Sequence, residues 1–158
     1  MKNIKCHICN YENESADGQA TLCVACGAEL ADPKSETKLM EAITSATCAT
    51  SDQLRDVRKE CSIYLTDRRL IVIPADVQFT GLNLTGILAA KAAQALHNKM
   101  TSNFGVISIP VKNIKTVRDG KFGLLVKAII VETTGGEMVK ITVPKRDEWK
   151  SALANAAK

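Results

Sequence analysis

Two histidines, one tryptophan, two tyrosines and three phenylalanines in 158 residues leave this chain short of the side chains that most enzymes and nucleic-acid readers depend on. General acid–base or nucleophilic catalysis needs a base beside a nucleophile, and the imidazoles on offer are His7 and His97 alone. No glycine-rich phosphate loop is present. Long apolar runs are missing too: Leu82 to Leu96 is interrupted by Asn83, Thr85, Lys91 and Gln94 and falls short of the roughly 20 apolar residues that span a bilayer. The first residues carry no apolar leader segment. These absences predict a protein without turnover, in a reducing cytoplasmic setting, with membrane contact limited to the periphery.

What is present is a globular composition, 46% apolar with a formal net charge of +4. That charge is too small to announce a nucleic-acid or membrane partner by itself. Its distribution is uneven. Residues 1–30 hold Lys2 and Lys5 against Glu12, Glu14, Asp17 and Glu29, a net of −2, which leaves +6 for the rest. An acidic front piece therefore precedes a mildly basic body.

Cysteine is the residue type in clear excess. Cys6-His7-Ile8-Cys9 and Cys23-Val24-Ala25-Cys26 are two C-x-x-C pairs thirteen residues apart. Each pair can wrap a tight turn around one metal, and together they offer four thiolates in tetrahedral array, the donor set that favours zinc. Four protein ligands leave no open coordination position, so the ion is expected to be structural, Zn2+ held by Cys6, Cys9, Cys23 and Cys26. Residues 1–30 contain few large apolar side chains, and segments below about 40 residues usually need a metal or disulfides to fold. The residue after each pair, Asn10 and Gly27, is of a type that tolerates the left-handed conformation such turns require. His7 is expected to be a solvent-facing spacer. Cys48 and Cys61 have no partners at ligand spacing and are expected to act as small buried hydrophobes.

Residues 31–38 read as a polar linker, with a second domain over 39–158. Cys61 to Leu65 alternates, Thr66-Asp67-Arg68-Arg69 reads as a turn, and Leu70 to Ile73 is a second apolar run, so the stretch predicts a hairpin. Val106 to Val111, Ile114 to Val117, Leu124 to Val131 and Met138 to Val143 read as further strands, with Asp119-Gly120 and Gly135-Gly136 as turns. After Pro144, Trp149, Ala152, Leu153 and Ala156 recur at helical spacing and predict an amphipathic helix. A second helix is expected over about 86–100, inserted between strands; its apolar face offers a site for self-association or for membrane contact.

Two resemblances follow from these residues. Cys26-Gly27-Ala28-Glu29-Leu30, after the first C-x-x-C pair, resembles the short zinc ribbons at the front of many bacterial proteins. Ile63-Tyr64-Leu65-Thr66-Asp67-Arg68-Arg69-Leu70-Ile71-Val72-Ile73, the string from Ile109 to Val117 and the Trp149 helix, in that order, resemble bacterial PH-like and GRAM-like domains. The second resemblance implies a mainly-β, seven-stranded, strongly bent antiparallel sandwich or partial barrel. One end would be closed by the C-terminal helix, and the 86–100 segment would be an insertion. It also implies a binding or adaptor protein that recognises a protein segment or an anionic lipid. In that family the basic residues of the first inter-strand loop can bind phosphate groups, which here singles out Arg55, Arg58 and Lys59, interleaved with Asp52 and Asp56. The alternative, nucleic-acid binding through the ribbon, asks for basic or aromatic side chains, and the ribbon is acidic with Tyr11 its sole aromatic.

Overall fold

A computed structural model describes residues 2–15, 20–49, 59–75 and 105–158, apart from the side chains of 44–46 and 48 within a strand. The expected 86–100 helix with His97, and Arg55 and Arg58, lie outside the described residues.

Nine strands and one α-helix make up the described chain. A two-stranded antiparallel ribbon, β1 (Lys2–Lys5) with β2 (Glu12–Ser15), forms the front. The body is a seven-stranded antiparallel sheet from β3 (Lys38–Ala49), β4 (Lys59–Thr66), β5 (Arg69–Pro74), β6 (Ile107–Pro110), β7 (Ile114–Phe122), β8 (Val126–Thr133) and β9 (Met138–Thr142), followed by α1 (Arg146–Ala156). The strand order is β6-β5-β4-β3-β9-β8-β7. β3 joins the two halves: its length pairs with β4, its last residues Thr47, Cys48 and Ala49 also pair with Thr142, Ile141 and Lys140 of β9, and its register with β4 shifts between Ala42 and Ala46. Such an irregularity bends a strand and increases its twist.

The hairpin predicted around Thr66 to Arg69 is β4–β5, with Ile63 opposite Val72 and Tyr64 opposite Ile71. Alternation sends Cys61, Ile63 and Leu65 of β4 and Leu70 and Val72 of β5 into the main core. There they meet Ile107, Ile109, Ile129, Val131, Val139 and Ile141. α1 closes this core with Trp149, 2% exposed, and the fully buried Leu153. Asp119 of β7 pins the helix by ion pairs to Arg146 and to Lys150, the latter at 2.8 Å.

One turn sits elsewhere than the sequence suggests. Asp119-Gly120 does not turn; both residues pair within β7, opposite Ile129 and Ala128, and the chain reverses at Gly123, Leu124 and Leu125 instead. Gly123 takes a left-handed φ of 58°. Gly120 serves packing: a β-carbon there would lie 2.5 Å from Cγ1 of Ile130. The dipeptide mimics a turn signal because the glycine is needed for room rather than for backbone freedom.

Candidate metal centre and the ribbon–body junction

Each C-x-x-C pair forms the tight turn expected of it. The Asn10 N–H donates to the Cys6 carbonyl at 3.1 Å and the Gly27 N–H to the Cys23 carbonyl at 2.8 Å. Asn10 and Gly27 adopt φ of 62° and 71°, the left-handed conformation their positions call for. The Ile8 N–H points at the Cys6 sulfur, 3.4 Å away. Asn13, 2% exposed, ties the two turns together. Its Nδ2 donates to the Ile4 and Tyr11 carbonyls, and its Oδ1 accepts the Val24 N–H at 2.9 Å. That role was invisible in the sequence, where Asn13 is one polar residue among several.

The four sulfurs converge. Cys6 and Cys26 Sγ are 3.6 Å apart, as are Cys9 and Cys23 Sγ, and all four lie within 4.8 Å of one another. Zinc–sulfur bonds of about 2.3 Å at tetrahedral angles set sulfur–sulfur edges of about 3.8 Å, so the cluster has the size of a four-thiolate site. The electrostatics agree. A hydrogen bond from Cys26 holds the Cys23 thiol far below its usual range, and the reciprocal bond pushes Cys26 far above it. Four thiolates this close would repel one another without a cation, whereas a divalent ion lets all four ionise together. The residues present therefore fit a metal ion. All four are buried, and none takes part in a disulfide. Cys61, by contrast, is fully buried in the body, and desolvation pushes its thiol up to about 12, the state of an inert packing residue.

The ribbon is seated on the body. Tyr64 and Ile71, which point away from the main core, are buried among Ile8, Ala25, Ala28, Leu30 and the four cysteines, with Ile73 and Val106 at the margin. The Tyr64 hydroxyl donates to the Cys9 carbonyl at 3.3 Å, and burial pushes the phenol up to about 12. Removing that hydroxyl with Tyr64→Phe should cost about 1 kcal/mol in denaturant unfolding monitored at the ribbon, since it leaves one carbonyl unpaired in a buried junction.

Arg69 is the polar centre of the junction. Its Nε and Nη2 donate to the two carboxylate oxygens of Glu36 at 2.8 and 2.9 Å, and its Nη1 reaches the Cys26 carbonyl at 2.6 Å. Glu36 also accepts the Thr66 hydroxyl at 2.6 Å, while the Thr37 N–H donates to the Asp67 carboxylate at 2.9 Å. Residues read as a linker thus carry a buried carboxylate, 6% exposed, that clamps the β4–β5 turn. His7 differs from the expected solvent-facing spacer: half-buried, its Nε2 lies 3.2 Å from the Glu36 carbonyl. A shallow cleft of about 200 Å³ opens between Tyr11, Ala25, Tyr64 and Ile73. It is smaller than the roughly 300 Å³ at which small-molecule sites begin.

Of the loop residues singled out for ligand binding, Lys59 begins β4, half-exposed, beside the undescribed stretch that holds Arg55 and Arg58. Among the described residues no helix is long and apolar enough to cross a membrane.

No family model and no curated protein matches this sequence. Among solved structures, the N-terminal PH domain of Vps36 is similar, with a TM-score of 0.50 at 14% identity, covering 87% of this chain and 89% of that one. The C-terminal domain of an unknown protein from Leishmania infantum superposes with a TM-score of 0.48 at 18% identity, over 78% of this chain and 85% of that one. At this identity the Vps36 likeness speaks for the fold alone. The fold is PH-like: mainly β, closed by one C-terminal helix, with a tight cysteine cluster at the front.

Proposed function

We propose that this protein is a non-enzymatic adaptor in which a zinc-held ribbon and a PH-like body act as one binding unit, recognising a protein segment or an anionic lipid. PH-like folds are binding folds, and metal-held ribbons are rigid platforms. The observation that carries the reading is the junction itself. Arg69 joins the second cysteine turn, the connecting segment and the β4–β5 turn, so the metal site supports the binding body rather than a separate reaction centre. His7, the one imidazole among the described residues, is engaged with the Glu36 carbonyl. Arg55, Arg58 and Lys59 are the proposed ligand contacts, offering cations to acidic peptide side chains or phosphates. Nucleic acid is the weaker reading, because the ribbon carries a net charge of −2.

The test is selection from a displayed peptide library and from immobilised lipids with the full metal-loaded chain. We expect acidic ligands to be enriched, and Arg55→Ala, Arg58→Ala and Lys59→Ala together to weaken them roughly tenfold or more. Failure to retain either ligand class, with a salt-sensitive mobility shift on DNA or RNA, would move the function to nucleic acid.

A further inference from the structure

Leu124 and Leu125 stand at the apex of the β7–β8 hairpin, each 90% exposed, and Val126 beside them is 39% exposed. Scattered exposed apolar residues are ordinary on protein surfaces, but three in succession at the outermost point of a hairpin are not. The apex rests on a firm base. Phe122, one residue before the turn, is 4% exposed and packs against Ala49 and Ala128, with the Lys140 ammonium 5.1 Å from its ring centroid. The leucines are therefore held outward by an anchored pair of strands.

Along the hairpin itself, the charge beside the apex is of one sign. Lys121 and Lys127 lie opposite each other in the β7–β8 register, directly behind the turn, and both are exposed. Residues 120–128 contain no Asp or Glu, and among the described residues no carboxylate pairs with either lysine. The next acid on the hairpin, Asp119, is taken up by Arg146 and Lys150 of α1. An apolar point with cations set back on both strands repeats the layering of a bilayer interface. There, hydrocarbon lies beneath phosphates and anionic headgroups attract lysines. A groove on a folded partner could take the leucines too, but it would need an acidic rim at both lysines, whereas an anionic membrane supplies negative charge all around the insertion.

The geometry points to Leu124 and Leu125 as a wedge that inserts into the surface of an anionic membrane, with Lys121 and Lys127 at the headgroups. This inference builds on the binding-unit reading and names the membrane as the partner of one surface of the body. Two leucines and two lysines give reversible, peripheral attachment rather than permanent anchoring.

The test is flotation of the full metal-loaded chain with vesicles of phosphatidylcholine alone or with three-tenths phosphatidylserine. We expect flotation with the anionic vesicles and little with the neutral ones. Leu124→Ser with Leu125→Ser should lower binding at least about tenfold, and Lys121→Ala with Lys127→Ala roughly 25-fold. Both pairs are exposed, so zinc content and melting should stay at the parental values. As a second readout, Leu125→Trp should be quenched by brominated lipid, while Trp149 is shielded in the core. The wedge is overturned if the parent ignores anionic vesicles, if the serine variant floats as well as the parent, or if the serine substitutions abolish a dimer in sedimentation while leaving flotation unchanged. Any of these results with zinc and fold intact removes the wedge and leaves the adaptor reading to the peptide and lipid selection.

Discussion

Replacing Cys23 and Cys26 with serine should unfold residues 2–30 while the body keeps its own sheet. The ribbon's β1–β2 pair is four residues long on each side, and its own buried apolar side chains, the cysteines aside, are Ile8, Ala25, Ala28 and Leu30, with Ile4 and Tyr11 partly covered. Structural zinc in small modules contributes on the order of 10 kcal/mol or more, far beyond what such a cluster can supply. The main core around Ile63, Leu65, Val131 and Trp149 draws nothing from the ribbon and should survive. Hydrogen exchange would then show the amides of the cysteine turns, Asn10 and Gly27 included, exchanging freely. The Leu65 and Val131 amides should remain protected. Tyr64 and Ile71 would lose their cover, so the variant should also bind a hydrophobic dye and aggregate more readily. A ribbon as protected in the variant as in the parent would show that its stability comes from elsewhere.

Arg69→Met should be the next most damaging change, at roughly 3–5 kcal/mol in chemical unfolding. The guanidinium is largely buried, and its loss would strand the Glu36 carboxylate, 7% exposed at the side chain, without its bidentate partner. It would also unpair the Cys26 carbonyl. Replacing both partners, Glu36→Leu with Arg69→Met, should recover much of the loss, because apolar groups of similar size carry no desolvation cost. Burial alone would push the Glu36 carboxyl up, yet the hydrogen bonds from Arg69 and Thr66 and the Arg69 charge hold it below the usual range. Its contribution is therefore complete above the pKa of an unfolded glutamate and fades as the pH falls through the lower folded value. The stability gap between parent and Arg69→Met should narrow in that acidic window; a gap that stays constant to low pH would mean the pair is not ionised.

The four-cysteine cluster was legible because its chemistry is local: the cysteine spacing and the left-handed positions at Asn10 and Gly27 lie within a few residues of each other. The β4–β5 hairpin and α1 were legible for the same reason, through alternation and helical spacing. The junction was not. Glu36 and Arg69 are 33 residues apart, and nothing near Glu36 separates it from an ordinary solvated acid in a polar segment. One clue was present. Leu70, Ile71, Val72 and Ile73 are apolar without a break, the pattern of a strand covered on both faces. The second cover is the ribbon, resting on Tyr64 and Ile71. Asp119-Gly120 misled because glycine in a strand and glycine in a turn look alike until the neighbour, here Ile130, is known.

The zinc content and position bear most directly on the whole account. Native mass spectrometry of protein purified without chelators, joined to anomalous diffraction at the zinc edge, should give one zinc per chain, placed among the sulfurs of Cys6, Cys9, Cys23 and Cys26. Protein folded throughout its first thirty residues with less than about half an equivalent of zinc, or with the metal bound elsewhere, would contradict it.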